Sequence, residues 1–283
     1  MSDSPRIGFV GTGLIGEPMV ERLLADGCST TVYARRPEVR ERLGALGAIT
    51  ATTPEQLAAA DVVVACLFTD DQVLEVCPPI IEKMRPGSVF LSHTTGSPST
   101  VRRLGALAAD VGVSVVEAPF SGNPAAIRRG QLTVMLGGEG TGVDIAAHTV
   151  SAYACNIIRT GGLGTALAAK LLNNALFAAF SQITLSALQS AETLGLTEEK
   201  LLEVLAACSG GSTAATYITA SGQPAVTYSE RLPRYLRKDL DTVRTVASEL
   251  NVEINALLTA AELGPMNLVD DRLSTEQLES SPT

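Results

Sequence analysis

The sequence predicts a doubly wound, mostly parallel α/β sheet over residues 1–160, followed by an all-α domain over 161–283 with a long interdomain helix. Three observations predict it. Short apolar runs alternate with amphipathic segments from residue 6 to about 159, the pattern of a parallel sheet covered on both faces. The strand-like runs then stop after Gly164. Residues 165–194 could form a single helix of ~30 residues, ~45 Å long at 1.5 Å per residue.

Strands are expected at 6–10, 30–34, 62–67, 88–92, 113–118, 132–136 and 156–159. Each is a short run rich in Val, Ile, Leu or Thr, bounded by turn-forming residues. Helical periodicity places helices at 18–26, 37–43, 54–60, 71–84, 99–110 and 141–153, so strand and helix alternate throughout. Beyond residue 164 further helices are expected at 198–208, 232–250 and 253–262, with S209-G-G-S212 as a connection and a polar, frayed tail over 274–283.

The 283 residues carry a net charge of −9, which argues against nucleic acid as a partner, because phosphate binding needs a basic surface. Five scattered cysteines without a Cys-x-x-Cys pair suit reduced, mostly buried thiols in the cytoplasm, and two histidines are too few for a histidine-rich metal centre. Residues 1–5 are too short and polar for a signal peptide. Residues 171–191 lack charge, yet they hold Asn173, Asn174, Ser181, Gln182, Thr184, Ser186, Gln189 and Ser190. That is too polar for a lipid-facing span and implies a buried helix, apolar on all sides. Such a helix needs cover, which predicts a homodimer through the helical domain.

G11-T-G-L-I-G16 follows the first strand and opens the first helix, the context of a Rossmann-type dinucleotide turn. Gly11 permits the tight turn, Gly13 lets backbone approach a pyrophosphate, and Gly16 allows close helix–strand packing. Thr12, Leu14 and Ile15 complete the turn, and the helix N-terminus offers free N–H groups to phosphate. The second strand ends in V32-Y-A-R-R-P37, with no acid to hold a ribose 2′-hydroxyl. Arg35 and Arg36 instead match a 2′-phosphate, so NADP is the expected cofactor, with NAD weaker.

Three more loops fall at strand C-termini, where ligands collect in open α/β sheets: Leu67-Phe68-Thr69, H93-T-T-G-S-P98 and A118-P-F-S-G-N-P124. Thr94, Thr95, Ser121, Gly122 and Asn123 could offer hydroxyl and backbone donors to a carboxylate or carbonyl. His93 lacks a partner motif and reads as a structural hydrogen-bonding group. Lys170 and Asn174 stand one helical turn apart, so an ammonium and a carboxamide can meet a carbonyl together. An ammonium beside a carbonyl stabilises the negative charge that hydride addition builds, then donates its proton.

With G130-Q-L-T-V-M-L-G-G138, G161-G-L-G164, K170-L-L-N-N174 and K238-D-L240, these motifs resemble the β-hydroxyacid dehydrogenase family over nearly the full chain. The resemblance implies oxidoreduction of a small carbonyl or hydroxy acid, a semialdehyde or β-hydroxyacid, with Lys170 as general acid and base. It implies that Thr95 and Ser121, with the backbone at Gly122 and Asn123, hold the substrate carboxylate. Asn174 then orients substrate, and Lys238 and Asp239 close over the nicotinamide end. The chain differs from the family pattern at S92-H-T-T95, Asn123, Ala166 and Arg231. T94-T-G-S-P98 is closer to imine reductases, which supplies an alternative activity. An NADP-binding sensor without turnover is the non-enzymatic alternative.

Overall fold

The apolar runs form one sheet in a computed structural model that describes residues 5–269. Its strands are β1 (Ile7–Val10), β2 (Thr30–Tyr33), β3 (Ile49–Thr50), β4 (Val62–Ala65), β5 (Val89–Ser92), β6 (Ser114–Glu117), β7 (Phe120–Ser121), β8 (Leu132–Gly137) and β9 (Ala154–Gly161). The first six lie in the order β3-β2-β1-β4-β5-β6, every neighbouring pair parallel. The chain moves outward from β1 through β2 to β3, then crosses back to β4. That reversal beside β1 is the switch point at which a parallel sheet opens a crevice for ligand.

Double winding is visible along β4. Val62 and Val64 join one core with Phe9, Leu91 and Met19, while Val63 and Ala65 join the opposite core with Phe90, Leu57 and Leu104. Successive side chains point to opposite faces, so a strand buried on both sides must be apolar at every position. Phe90 is fully buried, and truncating such a side chain to Ala costs ~3–5 kcal/mol.

β6 and β7 oppose β8 in one continuous antiparallel register, with Glu117 facing Gly137 and Phe120 facing Val134. Pro119 interrupts the two because it has no N–H to give, but its carbonyl still accepts from Met135 at 2.9 Å. β9 runs parallel to β8.

The helices around the sheet are α1 (Gly16–Ala25), α2 (Pro37–Ala45), α3 (Asp70–Val76), α4 (Pro78–Ile81), α5 (Pro98–Ala109), α6 (Pro124–Arg128) and α7 (Gly140–Val150). Two expectations are corrected here. The helix expected over 71–84 is divided into α3 and α4 at Cys77, because Pro78 and Pro79 bring no N–H to continue the ladder. The segment expected as an α-helix over 54–60 is a 3-10 helix, Pro54–Ala59. Two-residue strands β3 and β7 and the short helix α6 were not expected.

Contacts between residues divide the chain into two compact units, Met1–Lys170 and Leu171–Thr283. Helix α8 (Thr165–Thr193) runs through the division. The second unit adds α9 (Glu198–Ala207), α10 (Thr213–Ser221), α11 (Ala225–Ser229), α12 (Pro233–Leu250) and α13 (Asn255–Glu262). Leu171, Ala175, Ala178, Leu185 and Leu188 of α8 form its core with Ile218, Leu236 and Leu240. Gln182 is fully buried: its Oε1 accepts from the Met266 N–H at 2.9 Å and its Nε2 donates to the Met266 carbonyl at 2.8 Å.

The expectation that α8 is buried all round is corrected. Leu172, Leu176, Phe180 and Ile183 are 44–57% exposed and follow one another at three- and four-residue intervals, so they form one apolar stripe. By length and composition alone α8 could cross a membrane, but half of its most apolar window is buried within the protein. Cys155 and Cys208 are exposed, which also departs from the expectation of mostly buried thiols, while Cys77 is buried. The tail over 274–283 lies outside the described residues.

Candidate active site

The glycine turn after β1 is shaped by close approach. Gly11 has φ +96°, and a Cβ there would stand 2.1 Å from the Cys66 carbonyl oxygen. A Cβ on Gly16 would stand 2.1 Å from the Gly11 carbonyl oxygen, so only glycine lets α1 start this near the strand end. Gly13 faces open space, with nothing within 4 Å of the Cβ position. Ile15 caps α1 without a side-chain hydrogen bond; the Glu17 N–H is taken by the Gly13 carbonyl at 3.0 Å, and Pro18 has none. Thr12 is buried and Leu14 is exposed. A helix N-terminus without a side-chain cap, behind an unobstructed glycine, fits the pyrophosphate of a dinucleotide.

Beyond β2, Arg35 and Arg36 are both exposed. Arg36 lies 3.9 Å from Glu38 in an open ion pair, and Arg35 makes no hydrogen bond or ion pair among the described residues. Glu17, in the first turn of α1, is committed to Arg42, whose hydrogen bond holds its carboxyl below the ordinary carboxylate range. The second strand thus ends in two exposed guanidinium groups, Arg36 in an open ion pair with Glu38 and Arg35 without an acid partner among the described residues.

Backbone and side-chain bonds string the remaining strand ends into a row. Cys66 N–H donates to Val10 at 2.9 Å, His93 N–H to Ala65 at 2.8 Å, and Ala118 N–H to Ser92 at 2.7 Å. Half-buried Leu67 donates its N–H to Thr94 Oγ1 at 3.2 Å. Phe68 is exposed, and its N–H reaches Gln72 Oε1 at 2.9 Å. Thr69 caps α3 by accepting from Gln72 N–H. Asp70, which the sequence reading did not single out, accepts the Ser97 N–H at 2.8 Å and so ties the third loop to the fourth. Thr95 and Ser121 are half-buried at the row's surface, followed by exposed Gly122 and Asn123. The Asn123 side chain caps α6, with Oδ1 accepting from Ala126 N–H at 2.9 Å, and its backbone carbonyl accepts from Ile127 N–H at 3.0 Å.

His93 is a strut within this row. Its Nδ1 lies 2.5 Å from the Ala118 carbonyl and its Nε2 lies 2.8 Å from the Tyr153 hydroxyl. One tautomer satisfies both: Nδ1–H donates to the carbonyl, and Nε2 accepts from the phenol. Burial lowers its pKa to about 4, so the ring is neutral and joins the β5 loop to the β6 loop. The structural role expected of His93 is the one it has.

Lys170 is the last residue of the first unit and is only 9% exposed. The start of its helix is gripped by Glu117, a residue just before the loop over 118–124 that the sequence pattern does not single out. Fully buried at the end of β6, Glu117 accepts at Oε1 from the Gly164 N–H at 3.0 Å and the Ala166 N–H at 2.6 Å. No local pattern could have revealed this, since the partners are nearly fifty residues apart.

Within the second unit, the Asn174 amide donates to Asp239 Oδ2 at 2.6 Å and its oxygen accepts from Asn173 at 3.1 Å. Lys238 Nζ stands 3.0 Å from Asp239 Oδ1, an ion pair whose angle falls outside hydrogen-bond geometry. Asp239 is buried, and it gathers the amide and the ammonium that the sequence reading named. Arg231 stacks on Tyr228, 4.6 Å from the ring centre.

Comparison with known proteins follows the same two parts. Residues 6–162 match the family model for the NAD binding domain of 6-phosphogluconate dehydrogenase, and residues 164–271 match that for NAD-binding of NADP-dependent 3-hydroxyisobutyrate dehydrogenase. A probable 3-hydroxyisobutyrate dehydrogenase of Mycobacterium bovis is 30% identical over 205 residues, 72% of this chain and 70% of that one. The mouse mitochondrial 3-hydroxyisobutyrate dehydrogenase is 29% identical over 74% of this chain, a match that spans 64% of the mouse protein. Among solved structures, the 3-hydroxyisobutyrate dehydrogenase of Mycobacterium tuberculosis with L-serine superposes with TM-score 0.83 at 26% identity, covering 91% of each chain. An imine reductase from Myxococcus stipitatus shares the fold, with TM-score 0.63 at 17% identity over 92% of each chain.

Proposed function

The chain belongs to the β-hydroxyacid dehydrogenase family and is an NAD(P)-dependent oxidoreductase of the 3-hydroxyisobutyrate dehydrogenase type; from that premise we propose an NADPH-dependent reductase of small semialdehydes, or dehydrogenase of the matching β-hydroxyacids, with Lys170 as proton donor and acceptor. The observation that carries the reading is the row of loops at the sheet's switch point. It presents a helix N-terminus without a side-chain cap for phosphate at one position and the half-buried hydroxyls of Thr95 and Ser121 at others.

The nicotinamide cofactor supplies the hydride when bound. The backbone at Gly11, Thr12, Gly13, Leu14, Ile15 and Gly16 would hold its pyrophosphate, and Leu67, Phe68, Thr69 and Thr95 would line its path over the strand ends. Arg35 and Arg36 favour a 2′-phosphate because they are exposed forks, and the strand end V32-Y-A-R-R-P37 carries no acid to hold a ribose 2′-hydroxyl. Thr95 and Ser121 hydroxyls, with the N–H groups of Gly122 and Asn123, receive the substrate carboxylate. Lys170 stabilises the oxygen that gains charge and gives it a proton; in the reverse direction it takes the proton back. Asn174 orients the same substrate, held in its rotamer by Asp239. Lys238 is the residue that the family resemblance assigns to the nicotinamide end. The apolar stripe on α8 supports a symmetric homodimer through the helical unit, in which a second copy covers Leu172, Leu176, Phe180 and Ile183.

The test is a substrate panel with NADPH: short semialdehydes, β-hydroxyacids with NADP in the reverse direction, and a cyclic imine. Turnover of the semialdehydes and hydroxyacids is expected. Turnover of the imine alone would replace this reading with imine reduction, and tight NADPH binding without turnover of any compound would replace it with a sensor.

A further inference from the structure

The end of β6 delivers a carboxylate to a place where carboxylates are costly. Glu117 is fully buried, and its Oε2 has no hydrogen-bond partner. Room for it exists because Gly137 stands opposite on β8: a Cβ there would lie 2.1 Å from Glu117 Oε1. The whole return therefore falls on Oε1, which accepts the N–H groups of Gly164 and Ala166 where α8 begins. These are donors that a helix start cannot satisfy internally, and a negative group there also faces the positive end of the helix dipole. The same segment is held from α5: Leu163 packs at Gly105, and the Arg102 guanidinium lies against Gly164. Burial nevertheless raises the Glu117 pKa, against the backbone N–H groups and Arg102 that lower it.

Lys170 follows Ala166 by four residues, one turn further along the same helix, ~6 Å up the axis and on nearly the same face. Oε1 thus fixes both the height and the rotation of the turn that carries the lysine. We propose that Glu117 is a positioning residue for Lys170, acting through the two N–H groups it receives at the start of α8. The sheet that carries the substrate-facing loops then also sets where the proton donor stands, through a single oxygen atom. A cap used only for stability could be met by Ser, Thr or Asp at the helix start itself. Here the capping atom comes from β6, whose next residues lead into Ser121, so the loop and the lysine share one origin.

This proposal rests on Lys170 being the proton donor. The experiment is a double-mutant cycle on the full-length protein, with kcat and NADPH dissociation constants measured for wild type, E117A, K170A and E117A/K170A. A misplacement of ~1 Å can cost up to ~10²-fold in rate, so E117A is expected to lower kcat by ~10–10²-fold while NADPH affinity stays within about threefold. In the K170A background, the same change should leave the residual rate unaltered, because there is no longer a lysine to position. Equal factors in both backgrounds, or an E117A rate within twofold of wild type, would overturn the proposal while leaving Lys170's role intact. A K170A enzyme with normal turnover would instead remove the reading beneath it. If E117A does not fold, E117Q and E117D decide. Gln keeps the length and one acceptor and should stay within about fivefold of wild type, whereas Asp withdraws the oxygen by a methylene and should lose at least tenfold; the opposite order would overturn the proposal.

Discussion

His93 should make this protein lose stability in mild acid. Its ring is 2% exposed, sits between a carbonyl and a phenol, and has its pKa lowered to about 4 by burial. In the unfolded chain the same ring titrates near 6.5. Because the folded value is the lower one, the neutral ring's contribution is present above 6.5 and is lost as pH falls from there toward 4. At ~1.36 kcal/mol per pH unit, the full gap amounts to roughly 3 kcal/mol, of which roughly 2 kcal/mol is gone by pH 5. Urea unfolding of wild type and His93→Gln at pH 7 and pH 5 isolates the effect, since all carboxylates are common to both chains. Glu117 works in the other direction, its raised pKa giving stability that is lost as pH rises, and it cancels in the same comparison. Wild type should lose ~2 kcal/mol more than the variant between the two pH values. Parallel losses would mean that His93 is not held neutral by burial, and the strut between the β5 and β6 loops would have to be abandoned.

Arg35→Asp combined with Arg36→Ala should reduce the preference for NADPH over NADH by at least tenfold, read from kcat/KM with each cofactor; an unmodified protein that binds both equally would contradict the assignment of the two guanidinium groups. Light scattering at micromolar concentration should give about twice the 29.4 kDa of one chain, and Phe180→Glu, placed in the exposed stripe of α8, should give a monomer. A wild-type monomer would remove the dimer without touching the chemistry.

The central strands were readable because burial on both faces forces a uniform apolar run, as in Val62–Ala65. The glycine turn was readable because close approach at Gly11 and Gly16 admits no other residue. Where structure depends on a few residues, the sequence was mute: Ile49–Thr50 and Phe120–Ser121 are too short to show a period. The helix Thr213–Ser221 was passed over because its Thr, Ile and Tyr residues have weak helix propensity, and tertiary packing of Ala215 and Ile218 forms it anyway. The exposed stripe on α8 was masked by composition, since a helix rich in Leu, Ala and Phe reads alike whether its second face meets its own chain or another. Glu117 immediately precedes the loop read at 118–124, yet its task depends on β8 offering Gly137 and on a helix starting far along the chain. The candidate site residues were named by type alone; the bonds that hold them were not legible in the sequence.

The most direct test of the account is Lys170→Ala, assayed for NADPH oxidation with the best semialdehyde of the panel and, separately, for NADPH binding. A positioned general acid contributes ~10²–10⁴-fold, so kcat should fall by that factor while the NADPH dissociation constant changes by no more than a few-fold. Near-normal turnover in this variant would contradict the proposed proton transfer, and with it the claim that the helix gripped by the sheet end carries the catalytic group.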